Sequence, residues 1–191
     1  MNPGDEDRAG CVGGLLEDRA PETNMPANSP GLEAEYIRVY LDTEFTDFCD
    51  LELISLGLVS DEGDEFYAEV RDINLESCNA FVSQTVLPLL RKKPEAVMPR
   101  DLLQRRLLEW LEHIKRNRSI LVVSYDFFGD YVLLVEAIGA QPAWLRGDNI
   151  VDRISEAARA NFWRTSALPQ HHALNDARAL RFAHRIVHSS F

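Results

Sequence analysis

The sequence lacks any stretch that resembles a membrane span or a leader peptide. No window approaches the roughly 18 consecutive apolar residues that cross a bilayer, and the N-terminus is acidic and rich in glycine and proline. We therefore predict a cytoplasmic protein that does not bind membranes. Its three cysteines show neither CxxC nor Cys/His ligand spacing, so a zinc site is not predicted.

The chain is also poor in basic residues. Its 31 acidic side chains outnumber its 20 lysines and arginines, which gives a formal net charge of -11. Because Lys and Arg neutralise phosphate, this argues against nucleic-acid binding through a broad basic surface. The first 35 residues hold eight acids against two arginines, a net of -6, so the remainder carries -5. Two bound divalent cations could neutralise four of the remaining carboxylates.

The 191 residues divide into two parts by composition. Residues 1–34 combine Gly, Pro and scattered charge with little periodic hydrophobicity, which predicts a flexible acidic tail. Residues 35–191 are expected to form one folded domain. No internal repeat is present, which excludes a solenoid.

Hydrophobic periodicity predicts an α/β fold with a mixed β-sheet flanked by helices. Three strands, antiparallel in succession, are expected first, then a long amphipathic helix, a strand buried on both faces and mostly helices. The strands are expected at residues 36–45, 51–60, 65–70 and 119–125, with a short one near 149–153. The helices are expected at residues 100–118, 130–138, 155–163 and 174–187, with a shorter one from Ala80 that Pro88 ends.

Asp42 and Glu44 lie two residues apart at the end of the first predicted strand, in LDTEFTD. Because side chains alternate between the faces of a strand, both carboxylates project from the same side. Two solvated carboxylates are the ordinary explanation of such a pair. The strand nevertheless looks covered on both faces, although Arg38 lies on the acids' face. A partly buried pair would need a counter-charge, which a cation supplies.

Two further aspartates lie where the buried strand gives way to a helix. Asp126 follows the strand directly, and Asp130 opens a helix that begins with the sequence DYVLL. Asp130 could simply be an acid that stabilises the helix N-terminus. The end of a buried strand beside a helix start is also where α/β sheets place ligands. Both aspartates are therefore candidates for one site.

The third cluster is QHHALNDAR, residues 170–178. His172 and Asp176 are four apart and could form an ordinary pair on a helix surface. His171 and Asp176 are five apart, about 140° around an ideal helix, so they can converge only if His171 precedes the helix. Pro169 makes such a loop plausible. A neutral imidazole there could take a proton from water near pH 7.

These clusters, in this order, resemble the motifs of the DEDDh class of 3′-5′ exonucleases, in particular small bacterial exoribonucleases related to ribonuclease T and oligoribonuclease. The family has a DxE strand, an Asn-x-x-x-Asp pattern opening a helix, and a His-x4-Asp. Asp42 to Phe45 fits the first motif, and His171 to Asp176 fits the third. In the second, Asp126 replaces Asn, which favours Asp130 as the family's carboxylate. The resemblance covers residues 36–187.

The resemblance implies a ribonuclease H-like fold and a two-metal hydrolytic mechanism. Two Mg²⁺ or Mn²⁺ ions would be held by Asp42, Glu44, Asp130 and Asp176, with His171 as general base. The substrate would be a single-stranded nucleic-acid 3′ end, RNA rather than DNA, which releases nucleoside 5′-monophosphates.

Substrate recognition is assigned to two residues of the first motif. Phe45 is the candidate for stacking on a base, with a core aromatic as the alternative, and Thr43 is its companion. Family members of this kind also imply a homodimer. Two other functions stay open: a DNA-directed 3′-5′ exonuclease, and a non-catalytic nucleic-acid-binding module on the same fold.

Overall fold

The computed structural model describes residues 36–188, with side chains described for residues 36–184. The predicted tail of residues 1–34 lies outside this range. Within it, no helix is both long and apolar enough to cross a bilayer.

A six-stranded mixed sheet with the order β4-β3-β2-β1-β5-β6 forms the centre of the fold. β1 and β2 are antiparallel, as are β2 and β3, whereas β1–β5, β5–β6 and β3–β4 are parallel. The strands are β1 (Tyr36–Phe45), β2 (Leu53–Ser60), β3 (Glu65–Val70), β4 (Val97–Met98), β5 (Ile120–Tyr125) and β6 (Leu145–Asn149). The predicted α/β class and mixed sheet are confirmed.

Within residues 36–188, four α-helices cover the two faces of the sheet: α1 (Arg100–Lys115), α2 (Phe128–Ile138), α3 (Glu156–Ser166) and α4 (Ala173–His188). Alternate residues of β1 decide which helices they contact. Val39 and Leu41 pack into the main core with α1 and α2, whereas Tyr40 packs against Leu180 of α4. α3 lies against α4. Asp42 and Glu44 have the parity of Tyr40 and therefore start out on the α4 face.

The first three strands and the four long helices were predicted within a few residues of their bounds. β5 is flanked by β1 and β6, as its apolar sequence predicted. The short helix expected from Ala80 begins there, continues as a single π turn, Val82–Val86, and passes into a 3₁₀ turn containing Pro88. Pro88 lacks the N–H that a continuing α-helix would need.

One short strand was predicted in the wrong place, and another was not predicted. The strand expected at residues 149–153 lies earlier, at Leu145–Asn149, and Val151–Arg153 is a 3₁₀ turn. β6 is an edge strand whose LRGDN sequence is mostly outside the core, so it carries no apolar alternation. β4, which has two residues at the opposite edge, was not predicted.

Candidate active site

The C-terminal end of β1 supplies the first two carboxylates of the site. Asp42 and Glu44 retain partial solvent exposure, while Thr43 between them is buried. The Thr43 hydroxyl donates a 2.6 Å hydrogen bond to Asp130 Oδ1. Thr43 thus lies towards α2, and its hydroxyl is already used. The pairing of β1 with β2 shifts by a bulge between Glu44 and Phe45, directly after the acids.

Asp130 lies in the first turn of α2 and is only 3% exposed. Burying a carboxylate to this degree is costly unless it is hydrogen-bonded and balanced by charge. Thr43 provides one hydrogen bond, and the helix N-terminus supplies favourable backbone N–H dipoles.

Asp176 comes from the first turn of α4, whose start lies directly on β2. The contact point is Gly57, which pairs with Asp42 across the β1–β2 ladder. A Cβ atom on Gly57 would lie 2.4 Å from the Cα of Leu174. Only a glycine lets the helix start approach the sheet this closely, and this approach brings Asp176 to the two acids of β1.

The carboxylates form two groups that share Asp42. One contains Asp42, Glu44 and Asp176, and the other contains Asp42, Asp126 and Asp130. Within each group, one oxygen of every residue lies within 4.8 Å of an oxygen of the others. The structure therefore brings together all four carboxylates of the predicted ligand set, and adds Asp126. Two ligand groups joined by one shared carboxylate suit a pair of neighbouring divalent cations.

The described basic residues do not pair with the two carboxylates of β1. Within residues 36–184, no Lys, Arg or His forms a salt bridge with Asp42 or Glu44. Burial, followed by repulsion from Asp176 and Asp130, raises the pKa of both carboxyl groups well above the usual range. Burial also raises the pKa of Asp176 to about 7, although hydrogen bonds from the backbone of His172 and His171 oppose the shift. Hard, oxygen-seeking cations fit this donor set.

The two histidines differ in their surroundings. α4 begins at Ala173, so His171 does precede the helix, with a positive φ of 62°. Its ring packs edge-on against Phe81, with 4.9 Å between centroids. The ring of His172 instead stacks on Tyr67 of β3 at 4.5 Å, and its backbone N–H donates to Asp176 at 2.8 Å. Burial lowers the pKa of both imidazoles, which favours their neutral forms.

Phe45 lies in a group of three aromatic side chains at the end of β1. Its ring stacks on Phe127 at 5.7 Å and contacts Phe48 edge-on at 5.1 Å. Phe45 is partly exposed and also packs on the main core. Phe45 is therefore a packed aromatic with an exposed part, and its stacking on a base stays a prediction.

Sequence reasoning missed two contributors to the site. Gly57 was invisible because its role depends on the contact between β2 and α4. Arg159 of α3 donates a 2.8 Å hydrogen bond to Asp126, and nothing in a single sequence links residues that lie 33 apart. The choice between Asp126 and Asp130 was left open, and both lie beside Asp42.

Comparison with known proteins identifies relatives along most of the chain, although no family model matches it. Two 3′-5′ exoribonucleases of Mycobacterium tuberculosis, from strains CDC 1551 and H37Rv, are each 30% identical over 164 residues, covering 81% of this chain and 95% of theirs. The nuclease domain of 3′hExo, a DEDDh family member solved with bound rAMP, shares the fold with a TM-score of 0.51 at 12% identity, covering 81% of this chain and 92% of that one. The chain belongs to the family of metal-dependent 3′-5′ exonucleases that includes these mycobacterial enzymes, as its DEDDh motifs predicted.

Proposed function

We propose that this protein is a two-metal-ion 3′-5′ exoribonuclease that removes nucleotides one at a time from single-stranded 3′ ends and releases nucleoside 5′-monophosphates. One observation carries the proposal: two groups of carboxylates share Asp42 at the end of β1. Each of the five residues that the family motifs require is present in the chain. A non-catalytic binding module would not need this costly concentration of charge.

Asp42, Glu44, Asp130 and Asp176 would hold two divalent cations, Mg²⁺ or Mn²⁺, through carboxylate oxygens. When bound, such cations stabilise charge on the attacking and leaving oxygens of the phosphoryl group. The protein's own part is to fix the ligands. Thr43 orients Asp130 through its hydroxyl, and the backbone of His172 orients Asp176.

His171 would act as the general base that accepts a proton from the attacking water. Burial lowers the pKa of its imidazole, which favours the neutral ring that can accept a proton. Its place before α4, together with the positive φ, separates its ring from that of its neighbour. His172 is instead occupied by its stacking contact with Tyr67.

The 3′-terminal nucleotide would be bound beside the acids, with Phe45 offering a stacking surface for a base. Phe48 and Phe127 hold the Phe45 ring through aromatic contacts, which limits its freedom before substrate arrives. Because the Thr43 hydroxyl is bonded to Asp130, any contact between Thr43 and substrate would use its backbone.

We infer RNA rather than DNA as the substrate, because the mycobacterial relatives are named exoribonucleases. A DNA-directed exonuclease would use the same catalytic groups and is the second candidate. We further propose that the protein acts in the cytoplasm and forms a homodimer. Gel filtration of the purified chain coupled to light scattering measures its molar mass and therefore tests the homodimer.

The test is digestion of 5′-labelled RNA and DNA oligonucleotides with 3′ overhangs, with EDTA, Mg²⁺ or Mn²⁺. We expect a ladder that shortens from the 3′ end of RNA only when a cation is present, with nucleoside 5′-monophosphates as products. Asp42→Asn should remove this activity. Asp101→Asn, which changes an exposed acid in the first turn of α1, is the matched control and should keep it. Intact oligonucleotides in every lane would refute the proposal, and faster loss of DNA would favour the second candidate.

A further inference from the structure

Arg159 of α3 connects the acidic site to a helix that carries none of the family motifs. Its Nη1 donates to Asp126 Oδ2 at 2.8 Å, and its Nη2 donates to Glu156 Oε1 at 2.7 Å. The guanidinium is therefore held at two of its edges. The planar fork of an arginine fixes the direction of both bonds, which a lysine ammonium cannot do.

Asp126 is the carboxylate to which Arg159 reaches, and it lies within the second ligand group with Asp42 and Asp130. The family pattern has a neutral asparagine at this position. An aspartate there adds a negative charge beside the carboxylates of Asp42 and Asp130. A counter-charge is then required on the outer side of Asp126, and Arg159 supplies it.

We propose that Asp126 is a fifth carboxylate of the cation site and that Arg159 is its positioning residue. Arg159 holds one oxygen of Asp126, which leaves the other oxygen for the cation that Asp42 and Asp130 also bind. This inference rests on the proposed two-metal function and adds a ligand that the DEDDh motifs do not contain. Groups that orient a metal ligand through a hydrogen bond typically change metal affinity by about 10- to 100-fold when they are removed.

The two aspartates after β5 are then not alternatives. Asp130 is buried and anchored by Thr43 from within the fold. Asp126 is about one quarter exposed and anchored by Arg159 from outside. The second cation would be held between an inner carboxylate and an outer one. Because only the outer one is solvent-accessible, its affinity for the cation depends on the side chain that orients it.

The experiment is titration of the full-length protein with Mn²⁺, without substrate, with free Mn²⁺ measured by electron paramagnetic resonance. The parent should bind two ions. Asp126→Asn should weaken one of them by about 10-fold or more, and Arg159→Lys, which keeps the charge but not the fork, should weaken the same ion. The double variant should bind as Asp126→Asn alone does, because Arg159 acts through Asp126.

Arg164→Lys is the matched control, since Arg164 lies on the same helix and donates to Asn161 rather than to the site. It should leave both ions unchanged. Two tightly bound ions in Asp126→Asn would overturn Asp126 as a ligand. An unchanged Arg159→Lys beside a weakened Asp126→Asn would overturn the positioning role. A parent protein that binds no Mn²⁺ would instead refute the proposed two-metal function itself.

Discussion

Substitution of Gly57 by alanine should lower catalytic activity, although Gly57 lies on β2, the strand next to the one that carries Asp42 and Glu44. The added Cβ would lie 2.4 Å from both the Cα and the N of Leu174 and 2.5 Å from the carbonyl carbon of Ala173. All three are backbone atoms, so no side-chain rotation relieves the clash. Carbon atoms in contact are normally about 3.5 Å apart, so the start of α4 must retreat by about 1 Å.

That retreat moves Asp176 away from Asp42 and Glu44. A displacement of about 1 Å in a catalytic group costs on the order of 100-fold in rate, whereas overpacking costs about 1 to 3 kcal/mol of stability. We therefore expect Gly57→Ala to fold, to melt somewhat lower, and to lose about 100-fold in kcat on an RNA oligonucleotide. Circular dichroism and single-turnover kinetics measure the two effects separately.

Gly147→Ala is the matched control, because a Cβ on Gly147 would lie 2.9 Å from the ring of Tyr131. Gly147 is on the edge strand β6 and contacts a side chain that can shift, so this variant should lose some stability and keep its kcat. A folded Gly57→Ala with kcat within about twofold of the parent would refute the argument. Equal losses of kcat in both glycine variants would also refute it.

Three further outcomes are expected. Without metal, Asp176→Asn should raise the free energy of unfolding at pH 7, because burial raises the carboxyl pKa from 3.8 to about 7. The gain in the free energy of unfolding is about 4 kcal/mol at most. It should vanish as pH falls towards the pKa of the unfolded carboxyl, because the protonated group carries no charge to bury. Urea unfolding in EDTA at several pH values measures this, and a variant less stable than the parent at pH 7 contradicts it. His171→Ala should abolish turnover and His172→Ala should not; the reverse result would move the general base to His172. Because burial lowers the pKa of His171, the acid limb of the plot of kcat against pH should lie below the ordinary histidine value of 6.5. Thr43→Val should lower kcat by about tenfold or more, because it removes a hydrogen bond to a carboxylate, and such a bond contributes about 1.5 to 3 kcal/mol. Thr43→Ser keeps the hydroxyl and should restore kcat. A valine variant as active as the parent would show that Thr43 does not position Asp130.

The sequence was most informative where structure follows from local periodicity. Alternation along β1 placed Asp42 and Glu44 on one side of the strand, and helical spacing placed His171 before α4. Both features depend on residues that lie only a few positions apart in the sequence. They could be read without knowing what packs against them.

Features that depend on contacts between distant elements could not be predicted in this way. Gly57 looks like any strand glycine until α4 is placed on it, and Arg159 looks like a solvated helix residue until its guanidinium meets Asp126. The short strands β4 and β6 were missed or misplaced for a related reason. β6 buries little of its sequence and carries no apolar alternation, whereas β4 has only two residues and is too short to show a pattern. Pairing with a neighbouring strand therefore defines both.

Helix capping alone does not account for the later acids, Asp130 and Asp176. Asp130 and Asp176 each lie in the first turn of a helix, where a carboxylate stabilises the exposed N–H groups and should have a lowered pKa. Asp176 does accept such bonds from His172 and His171, yet its pKa is raised to about 7, because burial outweighs them. A residue present only to cap α4 would remain in solvent, where capping is favourable at no such cost. The burial of Asp176 therefore disfavours its charged form in the metal-free protein, and a bound cation is the partner that would offset this cost.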